Sequence, residues 1–260
     1  MSYFCINILG FMYGSFNLRV NNKLMCDCSS QSHGTPINSV FDDFLLGVAS
    51  NDGQKIDLQV DCHEESPVLL IIVEKVTVFC EIVQLIKLNK TPVMIVLTKG
   101  FPSALTKAAI VFFANHIKKN SLCVFGDCNP WGIKIVANYA AVCDNEIKWL
   151  GFCPSQITSN FEIEQELLYK HEFLSDLDHS IIDGMFENDE TDYEMKQELL
   201  IMKNNGRKYQ TEMLLTLRNK GFRNFVAKII DEMISVNKRE WTDNEHKWMD
   251  VEVDKEMMED

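Results

Sequence analysis

Glu74 and Asp127, with Asn129 two positions further on, are hard oxygen donors that each follow an unbroken apolar run. The run Leu122-Cys-Val-Phe125 is too short for a core helix, and Gly126, Asp127, Asn129, Pro130 and Gly132 after it are turn or cap residues. A strand therefore stops at Asp127. Val68 to Val73 is a second such run, and it stops at Glu74-Lys75. Side chains at the carboxyl ends of strands in an open α/β sheet face the crevice where ligands bind. Acids meeting there, with positions left for water and phosphate, suit Mg²⁺, which offsets charge developing on a phosphodiester during displacement. The plainer alternative is that Glu74 pairs with a lysine and that Asp127 caps the helix starting near Pro130.

Placing those acids requires alternating strands and helices. After Glu74 the residues Val76, Phe79, Val83 and Ile86 recur at helical spacing, and Thr91 to Leu97 is a further strand. The next helix presents Leu105, Ala108, Ala109, Phe112 and Phe113, and the helix after Asp127 presents Ile133, Val136, Ala137, Ala140 and Ala141. Ile147 to Phe152 adds a strand. The order β-α-β-α-β-α predicts a parallel sheet with helices on both faces. Upstream, Phe4 to Leu9, Phe16 to Val20 and Lys23 to Met25 are β-prone pieces separated by turn sequences, a small meander or sheet extension. From about residue 161 the chain turns to charged helices, the last spanning Phe222 to Met233; beyond Asn237 acids dominate and a frayed tail is expected. The expected units are thus a β-rich lead-in over 1–66, an α/β core over 67–160, helices completing it over 161–236, and an acidic tail over 237–260.

Other chemistry is weaker. No GxxxxGK[ST] loop and no dinucleotide-binding glycine fingerprint occurs. Lys99, after its strand, is placed to steer a phosphate or is a solvated surface lysine. Asp176 and Asp178 read as a solvated helix face. Cys26, Cys28 and His33, with Cys62 and His63, contain soft ligands whose spacing matches no common zinc pattern, so free thiols and a surface histidine are the expectation.

The nine cysteines are an odd count without a CxxC pair, which favours reduced thiols in cytosol or nucleus. No apolar run approaches the ~20 residues of a membrane span, and no secretory signal is evident. The net charge of −13 is unevenly spread: residues 1–160 hold 12 Lys/Arg against 13 Asp/Glu, and residues 161–260 hold 13 against 25. The acidity therefore belongs to the C-terminal part and argues only weakly against a nucleic-acid partner, whose footprint is a local patch.

Ile72-Val-Glu-Lys-Val-Thr-Val-Phe79, Thr98-Lys-Gly-Phe-Pro-Ser103, Gly126-Asp-Cys-Asn-Pro-Trp-Gly132 and Lys148-Trp-Leu-Gly151 resemble, in order and separation, successive blocks of a Toprim domain. The domain is that of topoisomerase VI, in its DNA-cleaving A-type chain, and of the meiotic double-strand-break transesterase related to it. Gly206-Arg-Lys-Tyr-Gln-Thr-Glu212 resembles a later block, and the resemblance covers most of residues 6 to 235. It implies a Toprim-type α/β fold with a small N-terminal β extension and C-terminal helices.

The resemblance also implies function: a DNA-binding, Mg²⁺-binding protein of the ATP-hydrolysing type IIB topoisomerase class, acting in the nucleus at the initiation of meiotic recombination. By position, Glu74, Asp127 and Asn129 are the metal ligands, and Lys75 and Lys99 are the expected DNA contacts. Asn129 departs from the family's Asp-x-Asp, bringing an oxygen without charge, so Mg²⁺ affinity should fall or a second ion be lost. The family's nucleophilic tyrosine precedes the block resembled by Ile6 to Gly14, in a winged-helix domain for which this sequence has no residues. Tyr3 and Tyr13 lack the family's Arg-rich Tyr-Tyr context and read as strand residues. Cleavage is therefore expected to need a tyrosine from elsewhere. Expected partners are DNA, a second copy or a full-length homologue in a dimer, and a B-type ATPase-like subunit, with no membrane. One competing expectation is a non-enzymatic interaction subunit; a tyrosine-independent hydrolase of nucleic acid is less favoured.

Overall fold

The computed structural model describes residues 10–30, 33–37, 58–62, 69–89, 93–115, 117, 121–141, 143, 147–150, 153–159, 161–189, 191–217 and 221–235. The expectations for Tyr3, Phe4 to Leu9, His63 and the tail from 237 lie outside these residues.

Three short strands form the middle of the main sheet: β6 (Leu69–Val73), β7 (Val93–Leu97) and β8 (Leu122–Phe125). Every one of their residues is buried, as an apolar run without alternation requires of a parallel strand covered on both faces. β6 pairs in parallel with β7 and β8, and β8 pairs in parallel with β9 (Ile147–Leu150). On the far side β1 (Phe11–Tyr13) runs antiparallel to β7 and carries β4 (Thr35–Pro36), giving the order β4-β1-β7-β6-β8-β9. This antiparallel pair extends the main sheet with residues outside the expected β-prone pieces, of which Phe16 to Val20 and Lys23 to Met25 instead pair with each other in a separate sheet, and Tyr13 is a strand residue. A separate antiparallel sheet joins β3 (Lys23–Asp27), β2 (Phe16–Val20) and β5 (Leu58–Cys62), with Phe16 and Leu18 of β2 in the core.

Helices α1 (Val76–Asn89), α2 (Ala104–Ala114) and α3 (Pro130–Ala140) follow β6, β7 and β8. Their inward faces differ in detail from the expected stripes. In α1 the buried set is Val78, Phe79, Ile82, Val83 and Ile86, whereas Val76, the first helical residue, is 48 % exposed. In α3 Ile135 and Tyr139 are buried and Ala140 is exposed. Burying the larger apolar side chains contributes more than burying alanine, so they set the rotation of the helix. Among the described residues no helix is long and apolar enough to cross a membrane.

The C-terminal part supplies α4 (Pro154–Ser159), α5 (Phe161–Leu167), β10 (Glu172–Phe173), α6 (Asp176–Glu187), α7 (Tyr193–Asn205), β11 (Arg207–Lys208), a 3₁₀ turn at Thr211–Thr216 and a helix, α8, over 221–235. The last helix sits where the apolar spacing puts it. It closes on the main sheet, with the Phe222 ring 6.3 Å from that of Phe125 and Arg223 donating to Glu81 of α1 at 2.8 Å.

The Asp176–Asp178 pair is not a solvated face throughout, because Asp178 is 2 % exposed. It is the third residue of α6, where its carboxylate accepts from the Ser175 N–H at 2.8 Å, completing a capping box. The Lys208 ammonium donates to it at 2.7 Å. Burial alone would raise its pKa, but the Lys208 and Ser175 hydrogen bonds outweigh that and hold the carboxyl below the ordinary aspartate value. The unfolded chain thus takes up this proton at higher pH than the folded one. The stabilisation is complete above the ordinary aspartate pKa and is lost as pH falls through the depressed folded value. In acid titrations of unfolding free energy, Asp178→Asn should be the weaker protein at neutral pH and should lose less stability than wild type below pH ~4; parallel acid limbs would contradict this.

Candidate metal centre

The strand register brings the acids together. Val73 stands opposite both Leu97 and Phe125, so the chains leave β6, β7 and β8 abreast. The ladder runs one residue further, with the Glu74 N–H donating to the Phe125 carbonyl at 3.2 Å and the Thr98 N–H to Val73 at 2.9 Å. Glu74 and the turn holding Asp127 are consequently neighbours at one sheet edge. The ammonium of Lys75 spans them, 3.7 Å from Glu74 Oε1 and 3.3 Å from Asp127 Oδ2.

Asp127 is buried and held from the C-terminal part of the chain. Its Oδ1 accepts from the Thr211 N–H at 2.8 Å and from the Thr211 hydroxyl at 2.7 Å. The segment before Thr211 is aligned by the Tyr209 N–H, which donates to the Cys128 carbonyl at 2.8 Å. Asp127 does not cap the helix that follows. Asn129 does, its Oδ1 accepting from the Gly132 N–H at 2.8 Å while its amide nitrogen lies 3.5 Å from Asp127 Oδ2. As a metal ligand Asn129 has only the second lone pair of a carbonyl oxygen already in use.

Burial pushes the Glu74 carboxyl above its ordinary pKa, the Asp127 charge adds to that, and Lys75 pulls the other way. For Lys75 burial lowers the pKa, but the Asp127 and Glu74 carboxylates prevail and leave it raised. The expectation that Glu74 pairs with a lysine is therefore met, by its own neighbour. That pairing engages one carboxylate oxygen only: Glu74 Oε2 is buried without a hydrogen-bond partner. The same is true of Oε2 of Glu212, which lies within electrostatic range of both Glu74 and Lys75. The orphaned Glu74 oxygen beside the buried Asp127 carboxylate is a pair of hard oxygen donors of the kind a divalent cation prefers. Among the described residues no three His, Cys, Asp or Glu side chains converge closely enough to ligate one metal, so a cation at this edge could be held directly by no more than Glu74 and Asp127 with the Asn129 amide.

A family model for the Toprim domain shared by Spo11 and the A-type chain of topoisomerase 6 matches residues 69–232. The chain belongs to this family. The α/β sheet with its flanking helices is thus a Toprim fold, and the matched residues run from the first residue of β6 into α8. No curated protein matches the chain.

Within the Toprim domain, Thr211 and Glu212 are the site residues that strand and helix spacing did not single out. Their only signal was the block Gly206 to Glu212, whose likeness to the family placed it in the fold without giving it a role. Lys99 stands apart from the acids, exposed, with its ammonium 4.5 Å from the centroid of the Phe11 ring. Its backbone is left-handed, φ 56°, and Gly100 follows at φ 94°. This turn carries Phe101 outward to meet Trp131 edge-to-face at 6.4 Å, both rings substantially exposed, with Lys134 over Trp131. Of the soft-ligand set, Cys26 and Cys28 lie 3.8 Å apart through their sulfurs and neither is in a disulfide.

Proposed function

We propose that this chain holds Mg²⁺ on Glu74 and Asp127 and presents it to a DNA phosphodiester, as one protomer of a dimeric break-forming protein acting in the nucleus at the start of meiotic recombination. The observation that carries the reading is the meeting of two carboxylates from different strands, close enough for one ammonium to span them, with Glu74 Oε2 left unpaired. Bound there, the cation would neutralise charge developing on the phosphodiester. The chain's own residues prepare the place. Thr211 fixes the orientation of Asp127, and the Phe125 carbonyl fixes the start of the Glu74 turn. Phe101 and Trp131, with Lys134 beside them, offer aromatic faces and positive charge to nucleic acid, and Lys99 adds an exposed cation. The nucleophile is a tyrosine outside this sequence, from a partner protomer or from an N-terminal domain, working with a B-type ATPase-like subunit.

Mixing the chain with a tyrosine-bearing homologue whose own metal acids have been replaced tests this reading. A covalent protein–DNA adduct that requires both Mg²⁺ and the partner's tyrosine is the expected product, and Glu74→Gln in this chain should abolish it. No adduct with a partner known to be competent would favour a second reading, a non-enzymatic interaction subunit. The helix-capping use of the Asn129 carbonyl is the observation on that side.

A further inference from the structure

We propose that Lys75 is a built-in counter-ion of this centre: its ammonium holds Glu74 and Asp127 together without metal, is displaced when a divalent cation binds, and is then received by Glu212. The inference rests on the metal-binding reading above and concerns what happens within the chain when that binding occurs.

The geometry supplies each part of the exchange. The ammonium lies between the two carboxylates, 3.7 and 3.3 Å from their oxygens, so a cation ligated by both must take its place. Lys75 can move, because its side chain is 30 % exposed while that of Asp127 is 7 % exposed and fixed by two Thr211 hydrogen bonds. A receiving acid is at hand in Glu212, which directly follows the Thr211 bonded to Asp127 and has an unpaired buried oxygen. Charge balance closes in the same way. Glu74, Asp127 and Glu212 with one ammonium leave a formal charge of −2, which one divalent cation cancels. In the loaded centre the metal neutralises Glu74 and Asp127, and Lys75 neutralises Glu212. With Asn129 uncharged, this stoichiometry suits one ion rather than two.

Calorimetric titration with Mg²⁺ alone, on wild type, Lys75→Met, Glu212→Gln and the double variant, tests the exchange. Removing the competing cation should tighten binding about tenfold, the order expected when one charge a few ångströms away is deleted from a partly screened site. Glu212→Gln should weaken binding by a similar factor, and in the double variant the Glu212 change should have little further effect, leaving affinity close to that of Lys75→Met. In thermal melts, metal-free Lys75→Met should unfold below wild type and saturating Mg²⁺ should remove the difference, with Lys75→Arg melting close to wild type in both conditions. If wild type binds Mg²⁺ and Lys75→Met binds it no tighter, the exchange is wrong while the metal site stands; if wild type binds none, the underlying reading itself is wrong. Should Lys75→Met fail to fold, Glu212→Gln decides alone, since unchanged Mg²⁺ affinity in it removes the receiving acid.

Discussion

Replacing Asp127 by alanine is expected to abolish the stabilisation of this chain by Mg²⁺ and to lower its melting temperature substantially without metal. The carboxylate is buried and receives both the N–H and the hydroxyl of Thr211. Its removal strands the Thr211 N–H, while the hydroxyl still has the Gly126 carbonyl 3.1 Å away. A buried donor left unpaired costs about 1–3 kcal/mol, and Lys75 loses its nearer anion as well. A total of about 3 kcal/mol corresponds to a fall of roughly 10 °C for a domain of this size. Asp127→Asn separates the two effects, because the amide oxygen can still accept from Thr211 while the charge is gone. It should melt much closer to wild type and yet gain nothing from Mg²⁺. Circular-dichroism melts with and without Mg²⁺ check both, and an Asp127→Ala protein that melts like wild type and still responds to the metal would overturn the assignment.

Gly132→Ala should be comparably damaging through backbone alone. A β-carbon there would lie 2.1 Å from the Asp127 carbonyl oxygen and 2.9 Å from that residue's carbonyl carbon and nitrogen. None of these is the far end of a flexible side chain, so the first turn of α3 must back away from the strand-end turn. The Asn129 cap, which reaches Gly132, is pulled with it. Overpacking that main-chain groups cannot relieve belongs at the upper end of its usual range, about 3 kcal/mol, with metal binding lost in the fraction that folds. Gly184 in α6 is the control: a β-carbon there meets nothing within 4 Å, so Gly184→Ala should stabilise by about 0.5–1 kcal/mol. Urea unfolding of the two variants reads the contrast, and equal midpoints would show that the approach at Gly132 is not tight.

Much of this site was legible in the sequence because its two acids are marked locally. An apolar run of strand length that ends on a carboxylate before a helical pattern announces both the buried parallel strand and the crevice-facing position, and β6 and β8 each do so. Adjacency of the two ends follows from parallel pairing, which places Val73 level with Phe125. What local pattern cannot carry is the partner that comes from far along the chain. Thr211 reaches Asp127 across 84 positions, and neither strand nor helix spacing around it gives it that role. Cap assignment was open for a different reason. Asp and Asn are nearly equal as caps, so Asp127 and Asn129 both qualified by type, and the choice fell to Asn129 once Thr211 had claimed the Asp127 carboxylate. Asp178 was hidden likewise, because an acid early in a helix looks solvated until a distant lysine, here Lys208, covers it. In α3 the alanine-rich spacing misdirected the helix face, since Ile135 and Tyr139 bury more apolar surface than Ala140.

The central claim is that carboxylates from two strands share one divalent cation, and Mn²⁺ titrated into the protein and followed by electron paramagnetic resonance tests it most directly. The account predicts a single bound ion in wild type, displaced by excess Mg²⁺, and its loss in both Glu74→Gln and Asp127→Asn with the fold retained. Mn²⁺ bound equally well by wild type and by either variant, or not bound by wild type at all, would contradict it.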